Sequence, residues 1–331
     1  MEKHCRRSED RQSLWGQYRQ WRLLCRQMKK ILLFLLLFLG LDKIGVAEKF
    51  QFKNFNNLFP STKVYDIFKD SKGYMWFATY DGLIRYNAYE FKSFQNIPGD
   101  STSLPINNIR ALHEDASGKI WIGTWGAGTV RFNPDQETFE QVDLPAGLEN
   151  HLYVNDIVED QNNRIWIGSL NGLLIIEDTS IIAYNQGNGP DLKIRSLLVD
   201  QKNTIWVGTE GNGIYSIKDN SIQKFDLPAR DEIITDIIQM KSGLITVATW
   251  DNGLYLVNPH NKDLKKIQFP SYLTGLNING IAEGSTNELW IGTWNNGLLV
   301  YNLVMSQLQH YVNNAQDNHS ITNNKVWCIF H

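Results

Sequence analysis

Trp121-Ile-Gly-Thr124 is the second of six copies of one tetrapeptide, the others being Trp76-Phe-Ala-Thr79, Trp166-Ile-Gly-Ser169, Trp206-Val-Gly-Thr209, Thr246-Val-Ala-Thr249 and Trp290-Ile-Gly-Thr293. Successive copies stand 45, 45, 40, 40 and 44 residues apart. That period belongs to propeller blades, each a sheet of four short antiparallel strands.

The residues around Trp121 show how one period is built. Ile109-Arg-Ala-Leu-His-Glu-Asp115 reads as a first strand and Ala116-Ser-Gly-Lys119 as a tight turn. Ile120-Trp-Ile-Gly-Thr124 follows as the second strand, Trp125-Gly-Ala-Gly128 as the next turn and Thr129-Val-Arg-Phe132 as the third strand. Asn133-Pro-Asp-Gln-Glu137 turns again, and Phe139-Glu-Gln-Val142 is the fourth strand.

Gly82, Gly128, Gly172, Gly213, Gly253 and Gly297 close the second turn of each unit, which predicts a backbone with positive φ there. Gly123, Gly168, Gly208 and Gly292, with Ala78 and Ala248 in the same place, predict a close approach of adjacent sheets. The tetrapeptide's Trp then reads as a large filler between blades.

The ends bear on the number of blades. Val64-Tyr-Asp-Ile67 opens the first unit and Val326-Trp-Cys-Ile329 has the character of a seventh opening. Phe50-Gln-Phe-Lys-Asn-Phe55 has the character of a fourth strand that completes the last blade. The expectation is an all-β, seven-bladed β-propeller of four-stranded antiparallel blades with its last blade incomplete, roughly 25 to 40 residues short of closure by the blade period. The chain thus reads as a fragment of a longer product.

The amino terminus is of another character. Met28-Lys29-Lys30 precedes the apolar run Ile31 to Leu41 and the small residues Gly45-Val46-Ala47, the pattern of a secretory signal peptide over 28–47 with cleavage between Ala47 and Glu48. An uncleaved anchor is the alternative. Residues 1–27 read as an upstream extension, and 48–331 as the propeller.

Composition narrows the function classes. Residues 48–331 carry twenty-two Lys and Arg against thirty-one Asp and Glu, a balance opposed to a phosphate-backbone partner, so nucleic-acid binding is not expected. The three cysteines are Cys5, Cys25 and Cys328, leaving the repeats without a disulfide or a thiolate metal site. The seven histidines share no repeat position and no ligand spacing, and no metal or other cofactor is expected.

Asp70-Ser-Lys-Gly-Tyr-Met-Trp-Phe-Ala-Thr79 with Asp81-Gly-Leu-Ile-Arg-Tyr-Asn87, and Asp115-Ala-Ser-Gly-Lys-Ile-Trp-Ile-Gly-Thr124, resemble the two-component regulator propeller repeat. The resemblance spans Phe50 to His331. It implies the periplasmic sensor region of a bacterial signalling protein, followed elsewhere by a membrane span and an output, typically a histidine kinase or a diguanylate cyclase. The fifth unit departs from the pattern with Thr246 in place of Trp, and the sixth with Glu283-Gly-Ser-Thr-Asn287 in place of Asp-x-x-Gly.

Two sets of residues stand out as recognition candidates. The turn after each tetrapeptide places Tyr80, Asp81, Trp125, Asn171, Glu210, Trp250, Asp251, Trp294 and Asn295 at equivalent positions on one face. An aromatic and polar rim of this kind suits stacking on sugar rings or holding a peptide loop. Cover for the blade edges is the other role open to it. The second residue of each first strand forms a ring, Tyr65, Arg110, Asn155, Arg195, Thr235, Asn279 and Trp327. Arg110 and Arg195 either meet an anionic ligand or pair with Asp66, Asp156 and Asp236.

The function expected is a non-enzymatic periplasmic sensor that recognises an oligosaccharide or similar small-molecule cue, with later domains as the place for any homodimer contact. A protein-interaction scaffold and a propeller lyase or quinoprotein are the alternatives.

Overall fold

The computed structural model describes residues 50–330 apart from 54–60, 62, 185–191, 220, 229–231, 274 and 286. The signal sequence, its cleavage site and the upstream extension lie outside the described residues. Phe52–His331 form one compact unit.

That unit contains six four-stranded antiparallel sheets, each with its strands in simple chain order. In blade 1 these are Val64–Lys69, Met75–Thr79, Gly82–Tyr86 and Phe91–Phe94. The inner strands of blades 2 to 6 are Ile109–Glu114, Val154–Glu159, Ile194–Val199, Ile234–Gln239 and Ile278–Glu283. Inner strands of consecutive blades are neighbours around a central channel. Each tetrapeptide ends a second strand, and in blades 2 to 5 all five residues of that strand are buried.

Among the described residues the count is therefore six blades, not seven. Val326 to Phe330 carry no strand, since none of the described residues pairs with them in a ladder. The segment nonetheless occupies the place of a seventh inner strand. Val326 N donates to Thr293 O at 2.9 Å on blade 6, and the Cys328 thiol reaches Val64 O at 3.5 Å on blade 1. Phe52 donates its amide to His319 O and sets its ring edge-on against Tyr311 at 5.4 Å, so the incoming chain covers blade 6. Phe52 carries no strand, and residues 54–60 lie outside the described ones.

The small residue of the tetrapeptide sits where the next blade presses closest. A Cβ on Gly168 would stand 2.6 Å from Ile194 of blade 4, and one on Gly208 would stand 2.5 Å from Ile234 of blade 5. Val326 meets Gly292 in the same way, which identifies the segment as a seventh inner place. The turn glycines all have positive φ, from 72° at Gly128 to 122° at Gly82. The Thr before each turn has a reason of its own to recur. Thr124 Oγ1 donates to Gly128 O at 2.7 Å and accepts from Ala127 N at 3.0 Å, and Thr209, Thr249 and Thr293 repeat the arrangement.

The tetrapeptide Trp does more than fill space. Trp76, Trp121, Trp166 and Trp206 donate their indole N–H to Asp70, Asp115, Asp160 and Asp200, six residues earlier, at 2.7 to 3.0 Å. The same carboxylates receive the amides of the first hairpin, such as Tyr74 N and Arg164 N. Each Asp–Trp pair therefore staples a turn to a blade core. Blade 5 loses both partners together, with Met240 and Thr246 in their places and both buried. In blade 6 Gly284 takes the Asp position, and the Trp290 indole lies so close that no Cβ fits.

Candidate functional site at the mouth of the central channel

Every inner strand carries a register shift at its second residue. Tyr65, Arg110, Asn155, Arg195, Thr235 and Asn279 are each skipped in the pairing with the second strand. In a regular strand consecutive side chains face opposite sides. A bulge turns the extra residue aside, so that two successive residues reach the same surface. The channel mouth is accordingly lined by pairs, Tyr65 with Asp66, Asn155 with Asp156 and Thr235 with Asp236, and also by Trp327 and Cys328 of the strandless segment. The cavity they enclose is ≈ 280 Å³ and also meets Arg110 and Arg195.

The rim residues are held over this mouth by the backbone. The amide that follows each tetrapeptide donates to the residue leading into its own blade's inner strand: Trp125 N to Asn108 O, Trp250 N to Ile233 O, and Trp294 N to Asn277 O, each at 2.9 Å. Rim and ring thus meet. The Arg110 guanidinium lies 3.8 Å from the Tyr65 ring centre and 4.6 Å from that of Trp125, sandwiched between them. Tyr65 meets Trp327 at 5.5 Å, Trp327 meets Trp294 at 4.8 Å, and Trp294 meets Trp250 at 5.5 Å, all edge-on. Trp125 meets Tyr153 at 5.2 Å. Side chains drawn from blades 1, 2, 5 and 6, the Val326–Ile329 segment and the link before blade 3 form one arc. Lys325 Nζ stands 4.3 Å over Trp294 at its edge.

The remaining candidates divide. Glu210, just after the second strand of blade 4, lies 3.2 Å from Lys193 and 4.0 Å from Arg195. Asn155 and Asn279 donate to Ile194 O and Val326 O, bracing the next inner place. Tyr80, Asp81, Asn171, Asp251 and Asn295 stay on the exposed outer edge of their turns. Asp81 there receives Ser61 Oγ at 2.9 Å, Tyr80 lies under Lys63, and Asn277 Nδ2 reaches Asp251 at 3.3 Å.

The arginines do not pair with Asp66, Asp156 and Asp236. Those carboxylates bind backbone instead: Asp66 accepts Ile67 N and Leu112 N, Asp156 accepts Ile157 N and Leu197 N, and Asp236 accepts Ile281 N, at 2.6 to 2.8 Å. Each thereby clips its own blade to the following one, joining 1 to 2, 3 to 4 and 5 to 6. The intervening blades carry Ala111, Ser196 and Gly280 at that position. Enclosure by protein pushes the three acids up, Asp66 and Asp236 to about 6 and Asp156 to about 8. At Asp156 the neighbouring charges of Asp66 and Asp236 add to the effect. Burial also pulls Arg110 and Arg195 below the ordinary guanidinium range; Arg195 adds to this at Arg110, and Glu210 opposes it at Arg195.

Sequence reasoning missed the bulge and the clips. An Asp at the third position of alternate inner strands was the available signal for the clips. Nothing in the individual residues marks the bulge.

The model of the two-component regulator propeller family matches residues 58–81, 103–126, 147–171 and 188–211, each match ending in a rim turn. In these four stretches, one in each of blades 1 to 4, the chain matches the two-component regulator propeller repeat. Over 113 residues it is 30% identical to Histidine kinase P4 of Formosa agariphila, covering 32% of this chain and 8% of that protein. Among solved structures, two extracellular domains assigned to hybrid two-component systems of B. thetaiotaomicron superpose with TM-score 0.73 at 20% and 22% identity. Each covers 85% of this chain, which spans 39% and 37% of theirs. A virginiamycin B lyase of Staphylococcus aureus, determined with quinupristin, superposes with TM-score 0.66 at 17% identity over 80% of this chain and 88% of its own. At these identities the superpositions establish the shared propeller architecture. Among the described residues of these repeats no helix is long and apolar enough to cross a membrane.

Proposed function

We propose that this propeller is the extracytoplasmic ligand-sensing region of a bacterial signal-transduction receptor, and that the channel mouth is where it takes its ligand. The observation that carries the reading is the arc Trp250, Trp294, Trp327, Tyr65, Arg110, Trp125 and Tyr153. Aromatic rings in contact with one another, two of them, Tyr65 and Trp327, lining the open cavity, offer apolar faces beside polar groups, the surface that a pyranose needs. The ligand proposed is an oligosaccharide. Its role is recognition rather than turnover, with the signal passed to a kinase or cyclase output.

The arc spans the inner places of blades 5, 6, 1 and 2, so a ligand seated there touches residues far apart in the chain. Binding would tie these places together, which is a physical route from occupancy to a change in the domain.

A thermal-shift screen of the domain against neutral and charged oligosaccharides tests the proposal. A hit should raise Tm in a concentration-dependent way, and Trp294→Ala should abolish the shift. If no oligosaccharide moves Tm, the glycan reading fails.

A further inference from the structure

We infer that the channel mouth recognises an anionic group of its ligand, a carboxylate or a sulfate, through Arg110 assisted by Arg195. The inference rests on the reading of the mouth as a ligand site and narrows the class of ligand it takes.

Arg110 is placed by two features already described. The bulge in the inner strand of blade 2 turns its side chain into the channel, and Tyr65 and Trp125 fix the guanidinium plane between them. Contact with ring faces answers none of a guanidinium's five N–H donors, which lie in its plane. Arg110 Nε is buried and has no hydrogen-bond partner among the described residues. The nearest acids do not answer it, since Asp66 and Asp156 spend their oxygens on backbone amides. Thr235 Oγ1, across the same cavity, is likewise buried without a partner among the described residues. A desolvated cation with unanswered donors is costly, and an oxyanion offers the geometry that resolves it.

Arg195 brings a second positive charge to the wall. Its acidic neighbour, Glu210, is 4.0 Å away and shared with Lys193 at 3.2 Å. The Arg195 charge disfavours that of Arg110, which an anion at the Arg110 fork would relieve. Lys325 above Trp294 adds a cation beside the mouth, whose lining sets Arg110 and Arg195 opposite the backbone-bound carboxyls of Asp66, Asp156 and Asp236. The aromatic arc and the cations occupy one rim, as binding an acidic sugar requires: ring faces for the pyranose and a fork for its charged substituent.

Paired probes that differ in charge alone test this. Oligogalacturonate is compared with its methyl-esterified form, and a sulfated galactan oligosaccharide with its desulfated form, by calorimetric titration of the whole chain's folded domain. Citrate serves as an anion without a sugar. One anionic member should bind at least about tenfold more tightly than its neutral twin, the difference expected of a charge-assisted contact. Which pair discriminates tells carboxylate from sulfate. Arg110→Gln should bring the two members of that pair to within about twofold of each other, whatever its effect on the affinity they share. Arg110→Lys, which keeps the charge and loses the fork, should fall between.

Equal binding of charged and neutral twins, untouched by Arg110→Gln, overturns the inference and leaves the glycan reading standing. Citrate binding that depends on Arg110, with no oligosaccharide bound, supports the inference and sinks the glycan reading. Failure of every anionic probe overturns it.

Discussion

At the scale of single residues, two kinds of buried carboxylate oppose each other. Asp160 represents the first kind: burial pushes it up, but hydrogen bonds from the Trp166 indole, Arg164 and Asn162 outweigh that and hold it low. Asp160→Ala leaves a buried indole N–H and two amides unanswered, and should cost about 3 kcal/mol or more in urea unfolding at unchanged m. A loss below about 1 kcal/mol would show the staple to be ornamental. Asp156 represents the second kind. Its carboxyl is pushed up to about 8, so the fold holds a proton that the unfolded chain releases near pH 4. Stability linked to it is full at low pH and is lost as pH rises through about 8. His113 and His151, pulled down by burial, act in the opposite sense but only below their ordinary value of 6.5. Tm should therefore fall between about pH 6.5 and about pH 8, with nothing further lost through Asp156 above that, and Asp156→Asn should flatten that fall. A Tm that rises over this range would contradict the assignment.

At the scale of elements, the second strand and the bulge divide the work. The second strand presses against the next blade, and its glycine sets the spacing. Gly208→Val places methyls where Ile234 already stands and should cost about 3 kcal/mol, read as a lower urea midpoint. Gly208→Ala, matching Ala78 and Ala248, should cost less. These contacts were legible in the sequence because a small residue recurring once per period, within a run of large apolar ones, marks a place with no room for a side chain. The turn glycines were legible for a similar reason, as the residues best suited to a positive φ. The rim positions were legible as well, since they follow the tetrapeptide directly, but which of them converge was not. Trp125, Trp250 and Trp294 are drawn inward by partners from other blades and from the Val326–Ile329 segment, whereas Tyr80, Asp81, Asn171, Asp251 and Asn295 stay at the exposed edge. Pairing of the arginines with Asp66, Asp156 or Asp236 was one of the two roles open to them, and it does not form because those carboxylates are taken by backbone amides of their own and the following blade.

At the scale of the whole molecule, the described residues form six blades, and the Val326–Ile329 segment lies between blades 6 and 1. That segment has no ladder of its own among the described residues. Blades 1 and 6 flank it. Elements with fewer paired neighbours open more easily, so amide hydrogen exchange should be slowest in the second strands of blades 3 and 4 and faster in those of blades 1 and 6. Val326→Asp, which puts a charge against Gly292, should accelerate exchange in blade 6 with little change in blade 3. Uniform exchange around the ring would mean that the segment closes it as well as a blade does.

The carboxylate clips have a consequence in parity. They join blades two by two, an Asp at odd places answering a small residue at even ones, and a pattern of period two cannot close on an odd number of places. The mismatch falls at the Val326–Ile329 segment, where Cys328 stands between Asp66 and Asp236, its thiol pushed up by enclosure and by both charges. The circle thus has a built-in seam, and the arc of aromatic rings crosses it through Trp327.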